Sequence, residues 1–139
     1  MTAVAPDDAM LVQALREILP QARSAWLFGS AARAALRAGS DIDLAVVLDA
    51  PLAGLARFDA AAALAERLGR DVDLIDLGRA SPVMQMQVLA SGRRLFTRDA
   101  LADTLMVARA LRAWQDAQHW RRPMLRALAE RLERAGATA

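Results

Sequence analysis

The segment from Ser24 to Leu48 constrains the fold of this 139-residue chain more than any other. Ser24-Ala25-Trp26-Leu27-Phe28 is an apolar run too short for a stable helix, and it stops at Gly29-Ser30. Asp41-Ile42-Asp43 then opens a second run, Leu44-Ala45-Val46-Val47-Leu48, that is apolar without a break. Short apolar runs bounded by turn formers read as buried strands. A strand that alternates at first and then becomes continuously apolar enters a core from a polar edge. The second run is therefore expected as the central strand of a sheet, with its polar mouth at Asp41 and Asp43.

The rest of the chain supplies helices and two more strands. Ala9 to Leu19 has helical spacing, a cap at Asp7 or Asp8, and Pro20 to end it. Ala31 to Arg37 reads as a second helix, and Ala56 to Leu68 as an amphipathic one ended by Gly69. Asp71 to Asp76 is a third strand, a helix runs from about Pro82 to Ala90, and Arg93 to Phe96 is an edge strand after the Ser91-Gly92 turn. From Asp99 the residues are good helix formers, which Pro123 is expected to divide into 99–121 and 124–134, with a disordered tail from Gly136. Four strands separated by helices predict an α/β (α+β) fold, a mixed four-stranded sheet under helical cover. The chain should be one compact domain, with a core over 1–97 and a helical extension over 98–139 that packs on the core or on a partner.

Composition narrows the chemistry. The chain has no Cys and one His, so disulfides, thiolate sites and His-rich zinc sites are excluded, and any metal must sit on oxygen ligands. The lone His119 accompanies no metal cluster or nucleophile and reads as a surface or packing residue. The isoelectric point of 10.8 overstates the basicity: the net charge is +2 and every basic residue is Arg, which titrates above about 12. Apart from Arg93-Arg94 and Arg121-Arg122 the arginines are interspersed with acids, so direct DNA binding is not expected. No run approaches the roughly 18 to 20 apolar residues of a membrane span, and the first ten residues carry acids where a signal peptide has a basic head. A soluble cytoplasmic protein is expected.

Two acids at i and i+2 on a strand share a face, roughly 6.6 Å apart along it. Asp41 and Asp43 can therefore grip one cation, and two cations about 3.5 to 4 Å apart are what phosphoryl and nucleotidyl transfer uses to clamp attacking and leaving oxygens. Asp73, on the next strand among Val72, Leu74 and Ile75, is placed to complete the set, whereas Asp71 flanks the site and Asp76 faces away. With 12 Asp in the chain, about one such pair arises by composition alone, so the pair by itself decides nothing. Its weight comes from Gly29-Ser30, which follows a strand and leaves ten residues before Asp41. Gly29 lets backbone approach a phosphate, and Ser30 offers a hydroxyl at the start of a helix. Arg33, one turn further on, reaches the same region.

These residues resemble a known family. Leu27-Phe28-Gly29-Ser30-Ala31-Ala32-Arg33 followed by Gly39-Ser40-Asp41-Ile42-Asp43-Leu44-Ala45-Val46 is similar to the GS-x10-DxD signature of minimal nucleotidyltransferase (MNT) domains of the polymerase-β superfamily, over about residues 10–97. The resemblance implies a polymerase-β-like fold, Mg²⁺ on Asp41 and Asp43 with Asp73 as third acid, and nucleotide phosphates on Gly29 and Ser30, with Arg33 nearby. Where the family often reads GSRARG, this chain carries Ala31 and Ala34. Small bacterial MNT proteins are commonly antitoxins paired with an all-helical HEPN toxin, and active members transfer AMP from ATP to a Tyr of that toxin. The implied function is Mg²⁺-dependent transfer of AMP to a HEPN partner. The alternatives are neutralisation by contact alone, or transfer to a small molecule or RNA.

Overall fold

The computed structural model describes residues 6–29, 41–52 and 54–137. The elements in chain order are α1 (Asp8–Ile18), β1 (Ala22–Phe28), β2 (Ile42–Leu48), α2 (Ala56–Leu68), β3 (Val72–Asp76), a 3-10 turn (Leu77–Arg79), α3 (Pro82–Ser91), β4 (Arg93–Thr97) and α4 (Ala100–Ala137). The helix expected over 31–37 lies outside the described residues. Local chemistry sets the boundaries. Asp7 caps α1 by accepting from the Met10 N–H at 2.9 Å. Gly69 ends α2 at φ +68°. Ser81 caps α3 by accepting from the Met84 N–H, with Pro82 in the first turn.

The sheet is four-stranded, in the order β3-β2-β1-β4, so Arg93–Thr97 does lie at an edge and β2 lies inside. β1 runs antiparallel to both neighbours, and β2 runs parallel to β3. Alternation along β2 builds two cores. Ile42, Leu44, Val46 and Leu48 pack with Leu11 and Leu15 of α1 and Leu64 of α2. Ala45 and Val47 pack on the other face with Trp26, Leu77 and Val88, joined by Met84 of α3 and Met106 of α4. Helices therefore cover both faces.

The C-terminal region departs from expectation. A single helix of 38 residues runs through Pro123 and Gly136 to Ala137, where two helices and a tail were expected. Pro123 removes one backbone hydrogen bond, but the helix is exposed on all sides there, so water can take the freed carbonyl. Strong helix formers on both flanks carry the helix across.

α4 is fastened at its start. Asp103, only 2% exposed, accepts from Ser24 Oγ at 2.9 Å, Arg23 Nε at 3.3 Å and Arg94 Nη1 at 3.2 Å, which ties the helix to β1 and β4. Among the described residues no helix is long and apolar enough to cross a membrane.

Candidate functional site

The acids converge at the start of the parallel pair. β2 and β3 are in register with Asp43 beside Asp73, and on the other side Asp43 is paired with Phe28 of β1. Neighbours in register project to the same face, so Asp43 and Asp73 lie side by side above the core of Ala45, Val47 and Trp26. The ladder begins at Ile42, whose N–H donates to the Asp71 carbonyl at 2.9 Å. Asp41 therefore sits one residue before the strand expected to contain it, at the exposed mouth.

The electrostatics reflect this convergence. The Asp43 carboxyl is held above the usual carboxylate range, first by its partial burial and then by the charges of Asp73 and Asp41. Among the described residues no three acid or imidazole groups are drawn tightly enough together to enclose a metal ion. The donor chemistry fits a hard divalent cation: the acids offer oxygen only, Asp43 is partly buried beside Asp73, and a positive charge would relieve the raised pKa that Asp73 and Asp41 impose on Asp43.

Gly29 belongs to the same cluster through a contact that sequence reading did not anticipate. Its φ is +75°, and a Cβ there would stand 3.1 Å from Asp43 Cγ and collide with a carboxylate oxygen. The turn after β1 is thus packed directly against the central acid, and only a residue without a side chain allows it. A second close approach closes the end of β1: a Cβ on Gly92 would stand 2.9 Å from the Leu27 carbonyl oxygen and 3.1 Å from Phe28 Cβ. Ser30 and Arg33, the other residues assigned to phosphates, lie outside the described residues.

The secondary assignments fall as follows. Asp71 and Asp41 line a shallow depression of about 390 Å³ with Gly69 and Arg70. Asp76 points away from Asp73 and accepts from Arg79 Nη1 at 3.1 Å. His119 is exposed, edge-on to Trp120 at 5.8 Å. A cleft of about 550 Å³ lies at the opposite end of the sheet between the end of β2, the 3-10 turn and α4, and has no part in the acid cluster. Asp103 was missed by sequence reading. Its signal was present, because it shares a helix face with Met106 and Ala110, three and seven residues on.

Residues 12–101 match the model of the polymerase beta nucleotidyltransferase family. The chain is 33% identical over 119 residues to the protein adenylyltransferase MntA of Shewanella oneidensis, covering 86% of this chain and 85% of that protein. Among solved structures it is similar to a toxin–antitoxin chain crystallised with AMP-PNP, with a TM-score of 0.78 and 31% identity over 89% of this chain and 99% of that one. It is also similar to a chain from the complex of MNT antitoxin with tri-AMPylated Shewanella oneidensis HEPN toxin, with a TM-score of 0.72 and 30% identity over 88% and 95% of the two chains.

Proposed function

Because the chain belongs to the polymerase beta nucleotidyltransferase family, we propose that it is a protein adenylyltransferase that moves AMP from ATP to a Tyr hydroxyl of a HEPN-type toxin and thereby acts as its antitoxin. The observation that carries this reading is the in-register pair Asp43 and Asp73, with Asp41 at the mouth and Gly29 packed on the central carboxylate. The similarity to an adenylyltransferase and to chains from toxin complexes supports the choice of acceptor.

Asp41, Asp43 and Asp73 are the residues that would hold the divalent ion, which we take to be Mg²⁺. When bound, it neutralises triphosphate charge. The chain's own residues do the rest. Gly29 brings backbone close to the phosphates, and Ser30 and Arg33 add a hydroxyl and a guanidinium in the following segment. Asp73, the more exposed of the in-register pair, takes the proton of the acceptor hydroxyl as its oxygen attacks the α-phosphorus. A new P–O bond forms, the bond to the β-phosphate oxygen breaks, and pyrophosphate leaves. Residues 1–97 form the catalytic core and 98–139 the extension that meets the acceptor, and the reaction belongs in the cytoplasm, where ATP is available.

The direct test is to incubate the chain with labelled ATP, Mg²⁺ and the HEPN protein encoded beside its gene. Label on the HEPN protein that disappears with the Asp41→Ala/Asp43→Ala double variant is the expected result. No label, or equal label with wild type and double variant, overturns the reading. Contact-only neutralisation is the second reading, favoured by the long exposed part of α4. It predicts protection by the double variant equal to that by wild type.

A further inference from the structure

α4 is too long for the domain it starts on. Its 38 residues span about 57 Å, whereas a compact chain of this length has a radius of gyration of about 14 Å. The first three turns use one face to cover the sheet, through Asp103, Met106 and Ala110. That face does not stop where the core stops. Ala110, Trp114, Ala117, Arg121, Met124, Leu128, Arg131 and Ala135 follow one another at alternating intervals of four and three residues, the spacing of a seam that packs against another helix. Leu125 and Leu132 widen it. Beyond Trp114 the large apolar side chains of this seam are exposed among the described residues: Met124 is 65% exposed, Leu128 50% and Leu132 65%.

Two features identify what should cover it. The seam is apolar except for Arg121 and Arg131, and neither has an ion-pair partner among the described residues. A guanidinium inside a helix–helix seam needs a carboxylate from the other side. Charge is also divided along the chain. From Arg109 onward there are seven Arg and three acids; before it there are eleven Arg and thirteen acids. A second copy of α4 would add two more arginines to the seam and bring no carboxylate at a seam position to meet them, since Asp116, Glu130 and Glu133 lie off it. The cleft at the root of the seam is lined by Ala110 and Ala113 with Arg109, while the Arg23 and Arg79 beside them are already paired with Asp49, Asp103 and Asp76.

We propose that the uncovered seam from Ala117 to Leu132 docks a helix of the acceptor protein whose apolar stripe carries carboxylates opposite Arg121 and Arg131. This rests on the adenylyltransferase reading for the identity of the acceptor. Met106 lies on the sheet face to which Asp43 and Asp73 project, so a partner held along α4 is on the acids' side of the sheet.

The test uses the full chain with Leu128→Glu, Met124→Glu and Arg121→Glu/Arg131→Glu, all at exposed positions that leave the core untouched. The probes are the neighbouring-gene HEPN protein, phosphatidylcholine–phosphatidylserine vesicles, and the chain alone in sedimentation. The expected result is binding of the HEPN protein by wild type, weakened at least about tenfold by each variant, with Mg²⁺-ATP binding unchanged. The arginine variant should be partly rescued by acid-to-Arg changes on the partner. Wild-type affinity in all variants overturns the docking surface while leaving the transferase reading intact. A wild type that binds but transfers no label overturns the transferase reading and leaves the surface standing. No binding by wild type overturns both. Self-association abolished by Leu128→Glu, or vesicle binding abolished by it, overturns the proposal in favour of a second copy or a lipid surface.

Discussion

Gly29 and Asp43, fourteen positions apart, act as one unit because the turn after β1 rests on the carboxylate that β2 presents. Gly29→Ala adds a side chain to a backbone at φ +75°, which costs about 1 to 2 kcal/mol by itself, and it displaces the Asp43 carboxylate as well. We expect a lower melting temperature together with a loss of AMP transfer larger than the stability change explains, measured by calorimetry and labelled-ATP assay on the same preparation. Asp43 also sets a pH dependence. Its folded pKa is raised, so between the unfolded value and the folded one the native state binds more protons than the unfolded state. The stability this contributes is present in acid and lost as pH rises through the folded pKa. Asp43→Asn should therefore melt higher than wild type at pH 7 without divalent metal, and the gain should vanish below about pH 4, near the unfolded value. Equal melting curves at pH 7 would contradict the electrostatic account.

At the scale of elements, Asp103 is what holds α4 on the sheet. It is buried, and its three donors come from Ser24 and Arg23 on β1 and Arg94 on β4. Replacing it by Ala leaves the exposed Arg94 without its carboxylate, leaves Arg23 only Asp49, and removes the acceptor of a buried hydroxyl. A cost of about 1 to 3 kcal/mol is expected, read from urea unfolding, with Asp103→Asn less damaging because it keeps an acceptor for Ser24. The strands were legible beforehand because apolar runs bounded by Gly, Pro and Asp have few other uses. Their ends were not: Asp41 fell outside β2 because the ladder starts where Ile42 meets the Asp71 carbonyl, a pairing no local pattern announces. Pro123 misled for a related reason. The rule that Pro breaks a helix describes a cost, and an exposed helix with strong formers on both sides absorbs it.

For the whole molecule, the second half of α4 is separate from the stability of the rest. From Gln115 to Gly136 every residue is exposed, so a chain truncated after Asp116 should melt within about 2 °C of the full one while losing the HEPN protein in a binding assay. A large drop in melting temperature would mean that the overhang packs on the domain in solution. The sequence by itself was enough for four strands with helical cover, three candidate acids at Asp41, Asp43 and Asp73, and the glycine turn ten residues upstream, because strand periodicity and side-chain donor type are local properties. Tertiary structure alone decided that Gly29 touches Asp43, that Asp43 and Asp73 stand in register on the face shared with α4, and that the seam of α4 outruns its core. Those are distances between residues far apart in the chain, and they are set by strand order and packing, which no local spacing encodes.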